Sequence, residues 1–288
     1  MRSAGSTTWL TRFAWLTCVA TLLLICSGGM VTSKGVGLAV PDWPTTFGYN
    51  MFLFPISKWV GGILFEHTHR LMGSLVGFLT IILAVWLWVG EDRQWVRNLG
   101  VIALGGVIAQ GILGGLRVTM MKDEIGIFHA CIAQAFLGLL VFVALVTTRF
   151  WRALANEQFD FRKFSPIKTL AIAITTAIYV QLALGATMRH QHRDLAILDF
   201  PIRVRRDAPR FVALKRLSIF WVVLVGCQIA LGAWTIWSNK AADVATAHVA
   251  LGAVMLSFGV TISAICWRTS QAQFEGARPP GAQKHVPA

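Results

Sequence analysis

Long apolar stretches alternate with short polar and basic ones along almost the whole chain. The apolar runs cover 13–31, 71–89, 99–116, 125–148, 169–188, 217–237 and 244–267. Each is close to the ~20 residues an α-helix needs to cross the hydrocarbon core of a bilayer, so seven crossing helices are expected. The first run has Arg2 and Arg12 before it and Ser27-Gly28-Gly29 after it, the order of a cleaved export signal. Its similarity to a later internal segment, described below, marks it instead as a retained span.

Composition agrees. Of 288 residues, 56% are hydrophobic and only 14% charged, far too apolar for a soluble domain of this size. The chain reads as an all-α polytopic membrane protein. Its formal net charge of +13 does not point to nucleic acid, because the basic residues sit between apolar runs and at the ends, where they orient helices. The basic excess at the N-terminus, at 91–98 and at 149–168 assigns those segments to the cytoplasm and leaves 32–66 and 117–124 outside. Cys18, Cys26, Cys131, Cys227 and Cys266 lie in or at the ends of apolar runs, with no Cys-x-x-Cys spacing. Disulfides, zinc and covalent cofactor attachment are therefore not expected.

Candidate chemistry concentrates at the mouth of the second run, in Phe65-Glu66-His67-Thr68-His69-Arg70. Ionisable groups at a membrane helix end are costly unless paired, so a carboxylate, two imidazoles and a guanidinium this close together mark a candidate site. On a helix Glu66 and His69 share a face, Arg70 is within reach of Glu66, and His67 points elsewhere. One imidazole facing a bundle interior with a carboxylate beside it suits a heme iron ligand next to a reacting group. A solvated helix start with an ion pair is the competing reading. His129, near the start of the fourth run, lies at a depth similar to His69 on a span running the same way. Alone it would be read as a packing residue, but paired with His69 it could grip one planar heme from the opposite face. The glycines Gly105, Gly106, Gly111, Gly114 and Gly115 of the third run are assigned to close helix packing.

The chain also repeats itself. Leu38-Ala39-Val40-Pro41-Asp42-Trp43-Pro44 is echoed by Leu195-Ala196-Ile197-Leu198-Asp199-Phe200-Pro201, and Gly28 by Gly185 at the same offset. Gln110-Gly111-Ile112-Leu113-Gly114 is echoed by Gln228-Ile229-Ala230-Leu231-Gly232, and His129-Ala130-Cys131-Ile132-Ala133 by His248-Val249-Ala250-Leu251-Gly252. Between the two sets the offset shortens by about one helix and its turn. The second copy's counterpart of 66–89 is missing, and 201–216 stands in its place, too short and too basic to span. Seven spans would also put the basic tail (Arg268, Arg278, Lys284) outside, against the charge rule. Irregular re-entry of 201–216, an inverted last helix pair, or a deletion would each explain this.

Taken together, Glu66-x-x-His69-Arg70, the loop from Gly28-Gly29-x-Val31 through Gly37-Leu38-x-x-Pro41-Asp42-Trp43-Pro44, the two Gln-x-x-Leu-Gly helices, His129-x-x-x-Ala133-Gln134, Arg189-His190 with Asp199-Phe200-Pro201, and His248-x-x-x-Gly252-Ala253 resemble the heme A synthase family over about residues 10–268. The resemblance implies two pseudo-repeated four-helix bundles. Here they would be 10–150 with a substrate-heme site, 165–268 with a cofactor-heme site but no second helix, and a disordered tail at 269–288. It implies oxidation of the heme O ring methyl to a formyl group, with oxygen derived from water. Glu66 would be catalytic, His69 and His129 the substrate's axial iron ligands with Arg70 also binding it, and His248 one ligand of a heme B cofactor. Implied partners are heme O, membrane lipid, heme O synthase and cytochrome oxidase assembly factors, with no nucleic acid. The implied location is the inner cell membrane, multi-pass, with the N-terminus in the cytoplasm.

Two departures shape the expectation. The sixth helix's His-Arg-x-x-Ala signature is absent, its nearest remnant being Pro209-Arg210-Phe211-Val212-Ala213, and Pro44 is followed by Thr45-Thr46 where some members carry cysteine. The substrate half looks complete and the cofactor half crippled, so activity impaired by the missing helix is expected. A non-catalytic b-type heme-binding or electron-transfer protein is the alternative, and a helical transporter a third, more distant one.

Overall fold

The computed structural model describes residues 4–154, 165–190 and 212–276. Its helices are α1 (Ala4–Ser33), α2 (Gly61–Gly90), α3 (Gln94–Met120), α4 (Asp123–Thr147), the short α5 (Arg149–Ala153), α6 (Ser165–His190), α7 (Val212–Trp237) and α8 (Ala242–Gly276). Two 3-10 turns, Met51–Leu53 and Ile56–Lys58, lie in the long α1–α2 connection. Among the described residues there is no strand, only an isolated bridge between Thr46 and Tyr49.

The seven long helices match the seven apolar runs one to one. Six are long and apolar enough to cross a membrane, and α7 contributes the apolar stretch Val223–Trp237. The protein is an all-α, multi-pass membrane protein. Helix ends outrun the apolar runs because polar side chains end a hydrophobic stretch without ending a helix. Thus α2 starts at Gly61 and contains the whole Glu66–Arg70 motif. The tail expected over 269–288 is corrected likewise: α8 continues to Gly276, through Gln271, Ala272, Gln273 and Glu275, which are good helix formers.

Helices α1 to α4 form a closed ring, each packed on the next and α4 returning to α1. The short turns between α2, α3 and α4 make neighbours antiparallel, so α2 and α4 run the same way from diagonal corners. Leu83, Leu87, Ala103, Leu140, Val143 and Ala144 fill the space between. The remaining helices lean on this ring. α8 packs on α1 and α4, α6 on α4 and α8, and α7 on α8, while among the described residues α6 and α7 barely touch.

Side-chain contacts fix the directions. Gly29, near the end of α1, faces Thr246 near the start of α8, and Arg268 near the end of α8 lies over Trp151 just past α4. So α8 runs parallel to α2 and α4, and it ends where α1 begins. In α6, Thr175 Oγ1 meets Ser263 Oγ at 3.0 Å and Leu182 packs on Gly252, which makes α6 antiparallel to α8. In α7, Phe220 meets Phe258 and Gln228 meets His248, so α7 is antiparallel to α8 too. The last pair is therefore not inverted, and α8 ends at the end of the bundle where α1 begins. Counting spans leaves an inverted last pair as one of three alternatives; α6 instead finishes and α7 starts at opposite ends of the bundle. Residues 191–211, with Asp199, Phe200, Pro201 and the basic stretch Arg203 to Arg210, lie outside the described residues, as does 277–288 with His285.

At the end away from the long loop, buried Glu91 ties the α2–α3 corner to α4 and α5. Its carboxylate accepts from Arg93 (2.9 Å) and Arg152 (3.2 Å), and Arg93 also donates to the Val146 carbonyl at 2.8 Å. A cavity of about 390 Å³ opens beside this corner between Trp95, Phe142, Trp151, Trp267 and Arg268, far from the histidines.

Candidate functional site

The connection 34–60 folds over the start of α2, held by the polar residues of that helix's first turns. Glu66 is 3% exposed. Its Oε1 accepts from Arg70 Nη2 at 2.7 Å and its Oε2 from the Val40 backbone N–H at 2.9 Å. Arg70 donates in turn to the backbone carbonyls of Val40 (2.6 Å), Asp42 (2.6 Å) and Thr45 (3.1 Å). The ion pair follows from the spacing of the two residues; the loop backbone as a shared partner does not. Asp42 organises the loop by accepting from the N–H groups of Phe47 (2.7 Å) and Gly48 (2.9 Å) and from the Thr45 hydroxyl. Burial opposes ionisation of Asp42, but these hydrogen bonds outweigh it and hold the carboxyl below the usual carboxylate range.

His67 points away from His69, as its position predicts. It is fully buried, with Nδ1 3.2 Å from Thr46 Oγ1 and its ring against Phe54 and Trp59. It anchors the loop.

The three other motif histidines share one arrangement. His69 lies against α1, where a Cβ on Gly28 would come within 2.9 Å of its Cε1. His129 lies against α3 in the same way at Gly114 (3.4 Å), and His248 against α7 at Gly232 (3.1 Å). One turn before each of the latter two glycines a glutamine reaches the next helix: Gln110 Nε2 donates to the His129 carbonyl at 3.1 Å and Gln228 Nε2 to the His248 carbonyl at 3.2 Å. Each Gln-x-x-Leu-Gly segment is thus a latch and a seat for the histidine of the following helix. Assigning the α3 glycines wholly to helix packing is corrected here. Gly114 seats an imidazole and Gly115 the indole of Trp43, Gly106 meets Phe136, and Gly105 and Gly111 face open space. The signal was present in the internal repeat, which carries glutamine, glycine and histidine together.

His69 and His129 project from diagonal helices of the ring, in the third and second turns of two parallel helices, hence at similar depth. His69 is within electrostatic reach of His129, Arg117 and Arg70. Its Nδ1 is buried with no hydrogen-bond partner among the described residues. Two imidazoles that converge from opposite walls of an apolar interior, each with glycine behind it, form a donor set that fits an iron porphyrin. His248 occupies the matching position in α8. His190 ends α6, and His192 lies outside the described residues.

Residues 11–204 match the family model described as cytochrome oxidase assembly protein. The chain is similar to the heme A synthase of Shouchella clausii, 28% identical over 89% of this chain and 85% of the relative. It is also similar to those of Bacillus licheniformis, 30% identical over 65% and 61%, and of Beijerinckia indica, 26% identical over 72% and 65%. The matched stretch contains Glu66, both histidines of the ring and their glycine seats, and on that basis the chain belongs to the heme A synthase family of cytochrome oxidase assembly proteins.

Proposed function

We propose that this chain is an oxidoreductase of heme A biosynthesis that converts the ring methyl of heme O to a formyl group with oxygen taken from water. The observation that carries this reading is the convergence of His69 and His129 from diagonal, parallel helices at one depth, beside the buried carboxylate of Glu66. His69 and His129 hold the substrate iron from its two faces, and Arg70 keeps Glu66 and the loop in register. The net change at the substrate, R–CH3 + H2O to R–CHO + 4 H⁺ + 4 e⁻, develops positive charge at the methyl carbon as electrons leave. A carboxylate already fixed by Arg70 and the Val40 N–H stabilises that charge without having to reorganise.

The second half is read as an incomplete copy of the first, with α6, α7 and α8 in the places of α1, α3 and α4. The reading is supported by the Gln228–Gly232–His248 seat and by the contacts of α8 with both α6 and α7. His248 would supply one ligand for a heme B there, a one-electron carrier that would pass the electrons singly to an acceptor outside the chain. The scarcity of contact between α6 and α7 among the described residues favours a second reading, a non-catalytic b-type heme protein that keeps the His69–His129 site alone.

The clustering of Arg93, Arg97, Arg149 and Arg152 at the end where α1 begins supports a cytoplasmic N-terminus in the inner cell membrane. Heme O synthase supplies the substrate, and assembly factors of the oxidase receive the product. Heme extraction decides between the readings. Membranes making heme O and this chain should yield a formyl-bearing porphyrin, and His69→Ala or His129→Ala should abolish it. Heme-loaded protein without formyl product would leave only the second reading.

A further inference from the structure

Arg117 stands in the last turn of α3, three residues beyond Gly114 and therefore on the same face, one turn nearer the loop end than the His129 seat. Its guanidinium lies against the loop at Gly37, where a Cβ would come within 2.8 Å of both Nη atoms. A glycine at 37 is what lets the side chain rest there. His69 is within electrostatic reach of it. Three other cations at this end are engaged: Arg70 by Glu66 and three carbonyls, Lys58 by the Tyr49 hydroxyl, Lys34 over the Phe65 ring. Arg117 has no hydrogen bond or ion pair among the described residues. A half-buried guanidinium beside a membrane interior is costly unless something neutralises it.

Resting on the heme reading above, we propose that Arg117 binds a carboxylate arm of the porphyrin substrate and so fixes which edge of the ring faces the loop. A heme carries its two propionates on one edge. With the iron held near the loop end of the bundle, that edge lies outward, one turn above the histidines. Guanidinium and carboxylate match as a bidentate, charge-assisted pair, strongest where water is scarce. Pinning the acidic edge there also sets which methyl group the rest of the pocket presents to Glu66.

The test uses the full chain with His248→Ala, so that only the first bundle loads, titrated with iron protoporphyrin and with its dimethyl ester while the Soret band is followed. Arg117→Gln should weaken binding of the diacid by about ten- to a hundredfold, the worth of one charge-assisted pair. It should leave binding of the ester unchanged, which also reports an intact fold. Arg117→Lys should fall between. Equal loss for both porphyrins, or no loss for either, overturns the assignment of Arg117 and leaves the histidine site standing. If His69→Ala and His129→Ala leave both titrations unchanged, or the diacid does not bind at all, the site itself falls and the arginine with it.

Discussion

At the scale of single residues, Glu66 combines two roles that ordinarily conflict. It is a structural acceptor for the loop and, in the proposed reaction, the anion beside the reacting carbon. Glu66→Gln separates them, because glutamine still accepts the Val40 N–H while losing the full charge. The variant should bind heme and yield no formyl porphyrin on extraction; undiminished formyl product would remove Glu66 from the chemistry. The glycine seats give a second prediction. Alanine at Gly28 places a methyl group 2.9 Å from the His69 ring, an overpacking that costs about 1–3 kcal/mol and pushes the imidazole off its axis. Heme affinity should drop by roughly tenfold or more. Gly111→Ala, with nothing within 4 Å, should behave as the unaltered protein in the same titration. Equal behaviour of the two variants would deny the seat.

At the scale of elements, what stabilises the corners is as informative as what lines the site. Burial opposes ionisation of Glu91, yet hydrogen bonds from Arg93 and the charges of Arg93 and Arg152 hold its carboxyl down to about 2. A depressed folded value means that the unfolded chain takes up the proton first. The contribution of this corner is therefore complete above the ordinary carboxylate value near 4.5 and is lost as pH falls from there toward 2. Scanning fluorimetry of the detergent-solubilised protein should show the unfolding midpoint falling over that window, with a flatter profile for Glu91→Gln. Parallel profiles would mean that the corner carries no linkage. Sequence patterning located each helix but not its ends, since the polar turns at the start of α2 and the end of α8 are helical for reasons a hydropathy run does not contain. For α2 the reason is the loop that satisfies Glu66, His67 and Arg70.

At the scale of the whole molecule, α8 reverses what counting spans implies. It enters at the loop end and leaves beside the start of α1, so reporters fused to the two termini should report the same side of the membrane. A tail reporter on the opposite side would contradict the packing of α8 against α1 and α4. The same orientation puts His248 near the loop end of the bundle, as His69 and His129 are.

The sequence by itself determined the class, the number of long helices among the described residues, the relative direction of the first four and the residues proposed here to bear chemistry. Those properties are local: bilayer thickness sets the length of each run, and the period of the helix sets which neighbours share a face. The tertiary structure decided the partners. That Glu66 meets Val40, that Gly28 lies behind His69, that Gly37 makes room for Arg117 and that α8 runs with α4 are all contacts between distant parts of the chain. They follow from how the helices close into a ring, and no stretch of sequence holds both members of any of them.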